Sequence, residues 1–270
     1  MNKTSYLYDI PYGCHERHKL DLFIPQKTTT PHGVILFIHG GGWHQGDKTG
    51  HRDDINHFSS LGYICASMNY RYVAENINVF DELDDITAAL KAIKIKCQEN
   101  IFDVDKLMLV GGSAGSHLAL LYAVTRMNEA PIKPAAACVY CPPVKCYTED
   151  FLLGIFGEFE NWKYEILSKC CGCKLTKETF LNDTQQKALK KISPMEYLSD
   201  NFIPTAVFHG KKDGLIPLRH IEEFTDLLSK MGVKNDLLIF SNSSHSLDQD
   251  PDMWVKTKTT IADYANAYLK

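Results

Sequence analysis

The sequence predicts an α/β chain on a mostly parallel sheet, and three observations carry that expectation. Short, continuously apolar runs bounded by turn residues recur along the chain. Stretches with helical spacing separate them. The length, 270 residues, suits one large domain of this class. Strand and helix in alternation favour a parallel sheet covered by helices on both faces.

Taken in order, Leu20–Pro25 reads as an early half-buried strand that ends at a proline. Val34–Ile38 is apolar throughout, as a strand buried on both faces requires. Tyr63–Met68, Leu107–Val110, Ala135–Tyr140, Thr205–Phe208 and Leu237–Phe240 follow the same pattern. Helical spacing marks Phe80–Cys97, Ser116–Met127, Leu218–Met231 and Trp254–Leu269. Only residues about 142–201 break the rhythm, with aromatics, lysines and cysteines and no clear strand. That stretch is expected to form a helical cap over the sheet's carboxyl edge, inserted in a single domain spanning 1–270.

Composition excludes several classes. Apolar residues are 44% and charged residues 23%, which fits neither a disordered tail nor a coiled coil. The net charge of −4 leaves no electrostatic footprint for nucleic acid. No apolar run reaches the ~18–20 residues needed to span a bilayer. The first residues, Met1-Asn2-Lys3-Thr4-Ser5-Tyr6, lack an apolar core and a small-residue cleavage site, so a cytoplasmic location is expected. Nine scattered cysteines, an odd number, fit reduced thiols better than a disulfide framework.

Four motifs carry chemistry. Gly111-Gly112-Ser113-Ala114-Gly115 lies between a strand and a helical pattern, where G-x-S-x-G forms a sharp elbow that lifts its serine above the sheet. The helix that follows turns its positive end toward the same place. His39-Gly40-Gly41-Gly42-Trp43 follows the strand Val34–Ile38. Three glycines in a row are entropically costly and suit a backbone that must approach something closely, such as N–H groups aimed at an oxyanion. The loop lacks the spacing of a dinucleotide turn and the Gly-Lys-Ser/Thr of a P-loop. Asp213-Gly214, in the run 209–217, ends another strand, and His245 lies in the loop after Leu237–Phe240. Taken singly, each is also an ordinary turn or a solvated side chain.

Together, HGGGW at 39–43, GGSAG at 111–115, HGKKDGLIP at 209–217 and SHS at 244–246 resemble the esterase/lipase family of the α/β-hydrolase fold, in its carboxylesterase and hormone-sensitive-lipase-like branch. The resemblance runs from about Lys19 to the C-terminus and is weakest over 142–201. It implies Ser113 as nucleophile, His245 as general base and acid, and Asp213 as the group that holds the imidazole. It also implies an oxyanion hole from Gly41, Gly42 and Ala114, with Trp43 lining the substrate pocket and the choice among the N–H groups of 41, 42 and 43 left open. The position before the serine, often Asp in this branch, is Gly112 here.

The function implied is hydrolysis of carboxylic esters with small acyl or sugar-linked groups. An arylformamidase-like amidase, a small-peptide hydrolase and a silent ligand-binding scaffold are the other readings. A small-molecule ester is the expected partner, with no nucleic acid, no membrane, no metal and no organic cofactor; oligomeric state, a homodimer included, is not legible.

His117 is a rival base, four residues after Ser113, and Asp236, Asp248 and Asp250 are rival acids beside the histidine loop. Cys138 and Cys141 have zinc-like spacing, with Cys146, Cys170, Cys171 and Cys173 beyond. They are read as structural, because Cys138 falls in a predicted strand and Pro142-Pro143 follow Cys141. Asn69-Tyr70-Arg71-Tyr72 matches a segment that braces the site in this family, and Asp81–Asp85 reads as a helix start. Phe151, Phe156, Phe159, Trp162 and Tyr164 are expected to shape the pocket.

Overall fold

A computed structural model describes residues 5–153 and 160–270. Eight strands form one sheet: β1 (Ser5–Pro11), β2 (Lys19–Ile24), β3 (Gly33–Ile38), β4 (Ile64–Met68), β5 (Lys106–Gly112), β6 (Lys133–Tyr140), β7 (Thr205–Gly210) and β8 (Asn235–Phe240). Their spatial order is β1-β2-β4-β3-β5-β6-β7-β8; the β1–β2 and β2–β4 pairs are antiparallel and every pair from β4–β3 onward is parallel. The helices are α1 (Arg52–Ser60), α2 (Val79–Glu99), α3 (Ala114–Thr125), α4 (Glu160–Cys171), α5 (Asp183–Lys191), α6 (Leu218–Lys230) and α7 (Met253–Tyr268). Short 3₁₀ turns lie at Lys48–His51 and Pro194–Tyr197.

The continuously apolar strands are buried on both faces because successive side chains point to opposite sides of the sheet. In β3, Val34, Leu36 and Ile38 enter one core, while Ile35 and Phe37 enter the other. The first core takes in Leu83, Ile86 and Leu90 of α2, Leu118 and Leu121 of α3, and Ile221, Phe224 and Leu228 of α6. The second takes Ile55 and Phe58 of α1 with Ile261, Tyr264 and Ala265 of α7. Helix α3 is buried from Ala114 to Ala123, which explains its apolar character all round. Helix α2 starts at a capping box in which Asn78 accepts from Phe80 N at 2.8 Å and Asp81 accepts from Asn78 N at 2.9 Å. The acidic run is a helix start, as its composition suggested.

Two elements were absent from the sequence reading. Strand β1 is largely exposed and breaks register between Leu7 and Ile10, where Asp9 takes φ 51°. It is held by Tyr6 and Tyr8, whose rings meet Phe23 edge-on at 5.2 and 5.6 Å. Helix α1 carries so many polar residues that only Ile55, Phe58 and Ser59 are buried.

Chain order reverses at β3, which lies between β4 and β5 in the sheet. At such a point the loops leaving the strands' carboxyl ends part and open a crevice. The loops after β3, β5, β7 and β8 all leave that edge.

Candidate active site

Ser113 stands between β5 and α3 at φ 50°, ψ −116°, a conformation that costs an L-residue roughly 1–3 kcal/mol. The surroundings impose it. Ser113 N donates to Tyr140 O at 2.8 Å, and Ser113 O accepts from His117 N at 3.0 Å. The elbow is packed so tightly that a Cβ on Gly115 would lie 2.1 Å from Ile38 O. Gly112, by contrast, has nothing within 4 Å of such an atom. The departure from Asp at that position therefore leaves the turn intact.

The structure brings Ser113, His245 and Asp213 into one hydrogen-bonded chain. His245 Nε2 lies 2.8 Å from Ser113 Oγ, and His245 Nδ1 lies 2.8 Å from Asp213 Oδ2. Asp213 Oδ1 accepts from the N–H groups of Leu215 (2.8 Å) and Ile216 (3.0 Å). Burial alone would raise the Asp213 carboxyl; the bond and charge of His245 and the Ile216 N–H outweigh it and hold the group below its ordinary range.

The rival acids are occupied elsewhere. Asp236 accepts from Tyr264 OH at 2.8 Å. Asp250 shapes the histidine loop by accepting from Asn242 N (2.9 Å) and Ser243 Oγ (2.7 Å). Asp248 shares a hydrogen bond with Gln249. His117 has both ring nitrogens engaged elsewhere too. It is fully buried, accepts from Trp43 Nε1 at 3.1 Å through Nδ1, and donates from Nε2 to Ile192 O at 2.6 Å.

The glycine loop is tied back through its carbonyls. Gly40 O accepts from His39 Nδ1 at 2.7 Å. Gly41 O accepts from His44 N (3.2 Å) and Gln45 N (3.0 Å), and Trp43 O from Val73 N (3.0 Å). Gly42 O accepts from His44 Nδ1 at 2.8 Å. Among the described residues the N–H groups of Gly41, Gly42 and Trp43 make no hydrogen bond within the chain. A Cβ on Gly41 (φ 115°) would lie 2.1 Å from Gln45 O, so the tight return of the loop requires glycine there. Trp43, although bulky, also has a positive φ of 64°. Ala114 opens α3, where the first N–H groups have no intrahelical partner.

Side chains remote in sequence brace this loop, and sequence reasoning reached only some of them. Tyr70 stacks on His39 (4.3 Å between ring centres) and donates to His39 O at 2.9 Å. Asn69 accepts from Lys48 N, and Tyr72 OH donates to Gly46 O. Arg17, which no motif marked, donates to Tyr70 O (2.8 Å) and Gly46 O (3.2 Å), approaches His39 Nε2 at 3.3 Å, and lies over the Tyr72 ring at 3.7 Å.

In front of Ser113 the described residues enclose a hollow of about 260 Å³. Its lining comes from the loop 41–45, from Leu215, Ile216 and His245, and from Pro143, Leu152 and Trp162 of the stretch between β6 and β7. The indole of Trp43 turns inward against His117, so this residue lines the hollow with little of its ring. The expected aromatic lining needs correction. Phe151 is in the core, and Tyr164 packs on Phe180 at 5.7 Å; of the three described aromatics only Trp162 lines the hollow, while Phe156 and Phe159 fall outside the described residues. Which ring faces the site depends on where α4 lands, and that is a long-range outcome.

All nine cysteines are free thiols. Cys141, His209 and Asp213 are the one group among the described residues with ligand atoms close enough to share a metal ion. Both Asp213 oxygens are already engaged as described, and burial pushes the Cys141 thiol well up. Cys138 is buried in β6 and faces the second core.

Burial lowers His39, His117 and His209 each to about 4, their hydrogen bonds notwithstanding. In the unfolded chain an imidazole titrates near ~6.5. Between those values the unfolded state takes up protons that the folded state refuses, so stability falls as pH falls through that window. The thermal midpoint is expected to be several degrees lower at pH 5 than at pH 7. A midpoint level across that range would contradict neutral burial of these rings.

A family model described as BD-FAE matches residues 20–228. The probable carboxylic ester hydrolase LipM of Mycobacterium tuberculosis is 28% identical over 227 residues, covering 83% of this chain and 52% of that protein. The isoprenylcysteine alpha-carbonyl methylesterase ICME of Arabidopsis thaliana is 27% identical over 256 residues, covering 90% of this chain and 57% of that protein. The chain thus spans about half the length of the curated relatives it matches. Among solved structures, Thermogutta terrifontis esterase 2 phosphorylated by paraoxon superposes with a TM-score of 0.70 at 21% identity, covering 98% of this chain and 94% of that one. Esterase B from Lactobacillus rhamnosis superposes with a TM-score of 0.71 at 19% identity, covering 98% and 87%. No described helix is long and apolar enough to cross a membrane.

Proposed function

Because the chain belongs to the BD-FAE family and has the α/β-hydrolase fold, we propose that it is a serine hydrolase that cleaves carboxylic esters with small acyl groups. The observation that carries this reading is the unbroken chain of two 2.8 Å hydrogen bonds from Ser113 Oγ through His245 to Asp213. His245 Nε2 takes the Ser113 proton as Oγ attacks the ester carbonyl carbon. The negative charge that develops on the carbonyl oxygen meets N–H groups at the start of α3 and in the loop 41–43, where carbonyls are tied back and N–H groups are unpaired. Breaking the C–O bond releases the alcohol, which takes the proton from His245, and water repeats the sequence on the acyl-serine. Asp213, itself fixed by two backbone N–H groups, keeps the imidazole Nδ1 protonated and Nε2 free to accept.

The small, largely apolar hollow supports a short acyl group, because a volume near 260 Å³ falls just below the ~300–1,000 Å³ usual for ligand pockets. A small-molecule ester, with a sugar among the candidate alcohols, is the partner this reading requires. The test is a panel of p-nitrophenyl esters from acetate to decanoate, beside acetylated sugars and N-formylkynurenine. Turnover highest at acetate or propionate, together with fluorophosphonate labelling that maps to Ser113, is the expected result. Turnover of N-formylkynurenine alone would overturn the ester reading. A probe that labels another residue would remove Ser113 as nucleophile.

A further inference from the structure

We propose that His44 is a positioning residue for the glycine loop, holding the Gly42–Trp43 peptide in the one orientation that keeps the loop's N–H groups usable. Three observations converge on this peptide. Trp43 has φ 64°, which a residue of its size adopts only under constraint. Rotation of the Gly42–Trp43 peptide unit about its flanking bonds, changing ψ of Gly42 and φ of Trp43 together, would return Trp43 to negative φ at little cost to the glycine. The bond that opposes this rotation is the 2.8 Å contact between His44 Nδ1 and Gly42 O.

A carbonyl oxygen only accepts, so Nδ1 carries the proton and donates to Gly42 O. In a trans peptide the C=O and N–H point in opposite directions, so fixing Gly42 O also fixes the direction of Trp43 N–H. The neighbouring ties cannot substitute for it. Those on Gly41 O hold the preceding peptide, and the one on Trp43 O holds the following peptide. The indole bond to His117 anchors the side chain and leaves the plane of this peptide unconstrained. His44 itself is half-buried on the wall of the hollow, its ring 5.9 Å from that of Trp162, so it acts from the rim of the site. Rotation would exchange an N–H for a carbonyl oxygen beside the developing oxyanion, replacing attraction with repulsion.

The catalytic consequence rests on the ester-hydrolase reading, while the orientation of the peptide does not, and the experiment separates the two. His44→Phe keeps a ring and loses the donor; His44→Asn restores an N–H donor close to the position of Nδ1. With p-nitrophenyl acetate, His44→Phe is expected to lower kcat by about 100- to 1,000-fold with KM nearly unchanged, since one lost oxyanion donor costs on that order. His44→Asn is expected to recover most of the loss, and both variants should melt close to the parent. A crystal structure of His44→Phe supplies the readout that needs no substrate: Trp43 at negative φ. Parental kcat in His44→Phe, an equal loss in His44→Asn, or Trp43 retained at positive φ in His44→Phe would each overturn the proposal. If the parent protein hydrolyses no ester, the functional reading fails, and the φ of Trp43 in His44→Phe still decides the role of His44.

Discussion

Replacing Ser113 by alanine is expected to lower kcat for a short p-nitrophenyl ester by about 10⁶-fold, the loss seen when a serine hydrolase is deprived of its nucleophile. The substitution removes one heavy atom, and that atom is the donor end of the 2.8 Å bond to His245 Nε2. Folding should be nearly unaffected. Alanine and serine bear the same strain at φ 50°, and the bonds that impose the turn, Ser113 N to Tyr140 O and His117 N to Ser113 O, use backbone atoms only. The measurement pairs turnover with thermal unfolding. Lost turnover at an unchanged midpoint is the expected result, and turnover within tenfold of the parent would remove Ser113 from the chemistry.

The parts of this site that sequence exposes are those in which a local run of residues does the work. A glycine-rich loop at the end of an apolar strand is visible because backbone geometry and composition coincide there, as at Gly41, where no Cβ fits, and at Gly115 against Ile38 O. The order Ser113, Asp213, His245 was legible for the same reason, each residue standing at a strand's carboxyl end. The sheet's central strands were legible because burial on both faces leaves an uninterrupted apolar run, as in β3.

What escaped is set by contacts between distant segments. Arg17 reaches His39, Gly46 and Tyr70 from a loop with no motif, and nothing in its neighbours announces that. Strand β1 escaped because an exposed edge strand with a left-handed break at Asp9 lacks alternation strong enough to detect. The lining of the hollow escaped because rings so close in sequence as Phe151, Trp162 and Tyr164 have three different surroundings.

Asp213→Asn tests the electrostatic half of the same arrangement, and its expected effect is a fall in kcat of about 10⁴-fold with the loop intact. The geometry determines which way the new amide must face. Position Oδ1 accepts from two N–H groups, those of Leu215 at 2.8 Å and Ile216 at 3.0 Å. An amide nitrogen there would set donor against donor twice, so the oxygen of Asn takes that place and the NH₂ group takes the place of Oδ2. That group then faces His245 Nδ1, 2.8 Å away in the parent. Nδ1 can meet a donor only as an acceptor, so the ring proton moves to Nε2. Nε2–H then points at Ser113 Oγ and cannot take its proton, although all three side chains remain in position.

This differs from a simple loss of charge. Asp213→Ala would abolish the loop's acceptor for Leu215 and Ile216 and destabilise the fold, whereas Asp213→Asn keeps those bonds. The carboxyl of Asp213, lowered by His245, stabilises the folded state above the ordinary Asp range near ~3.9, and that contribution is lost as pH falls through the folded value. The amide lacks this dependence, so the two proteins' midpoints should draw together below pH ~4. Fluorophosphonate labelling of Ser113 should slow in parallel with kcat, because both reactions need the same base. Asp213→Asn with turnover within tenfold of the parent at pH 7 to 8 would show that His245 is oriented by something other than Asp213.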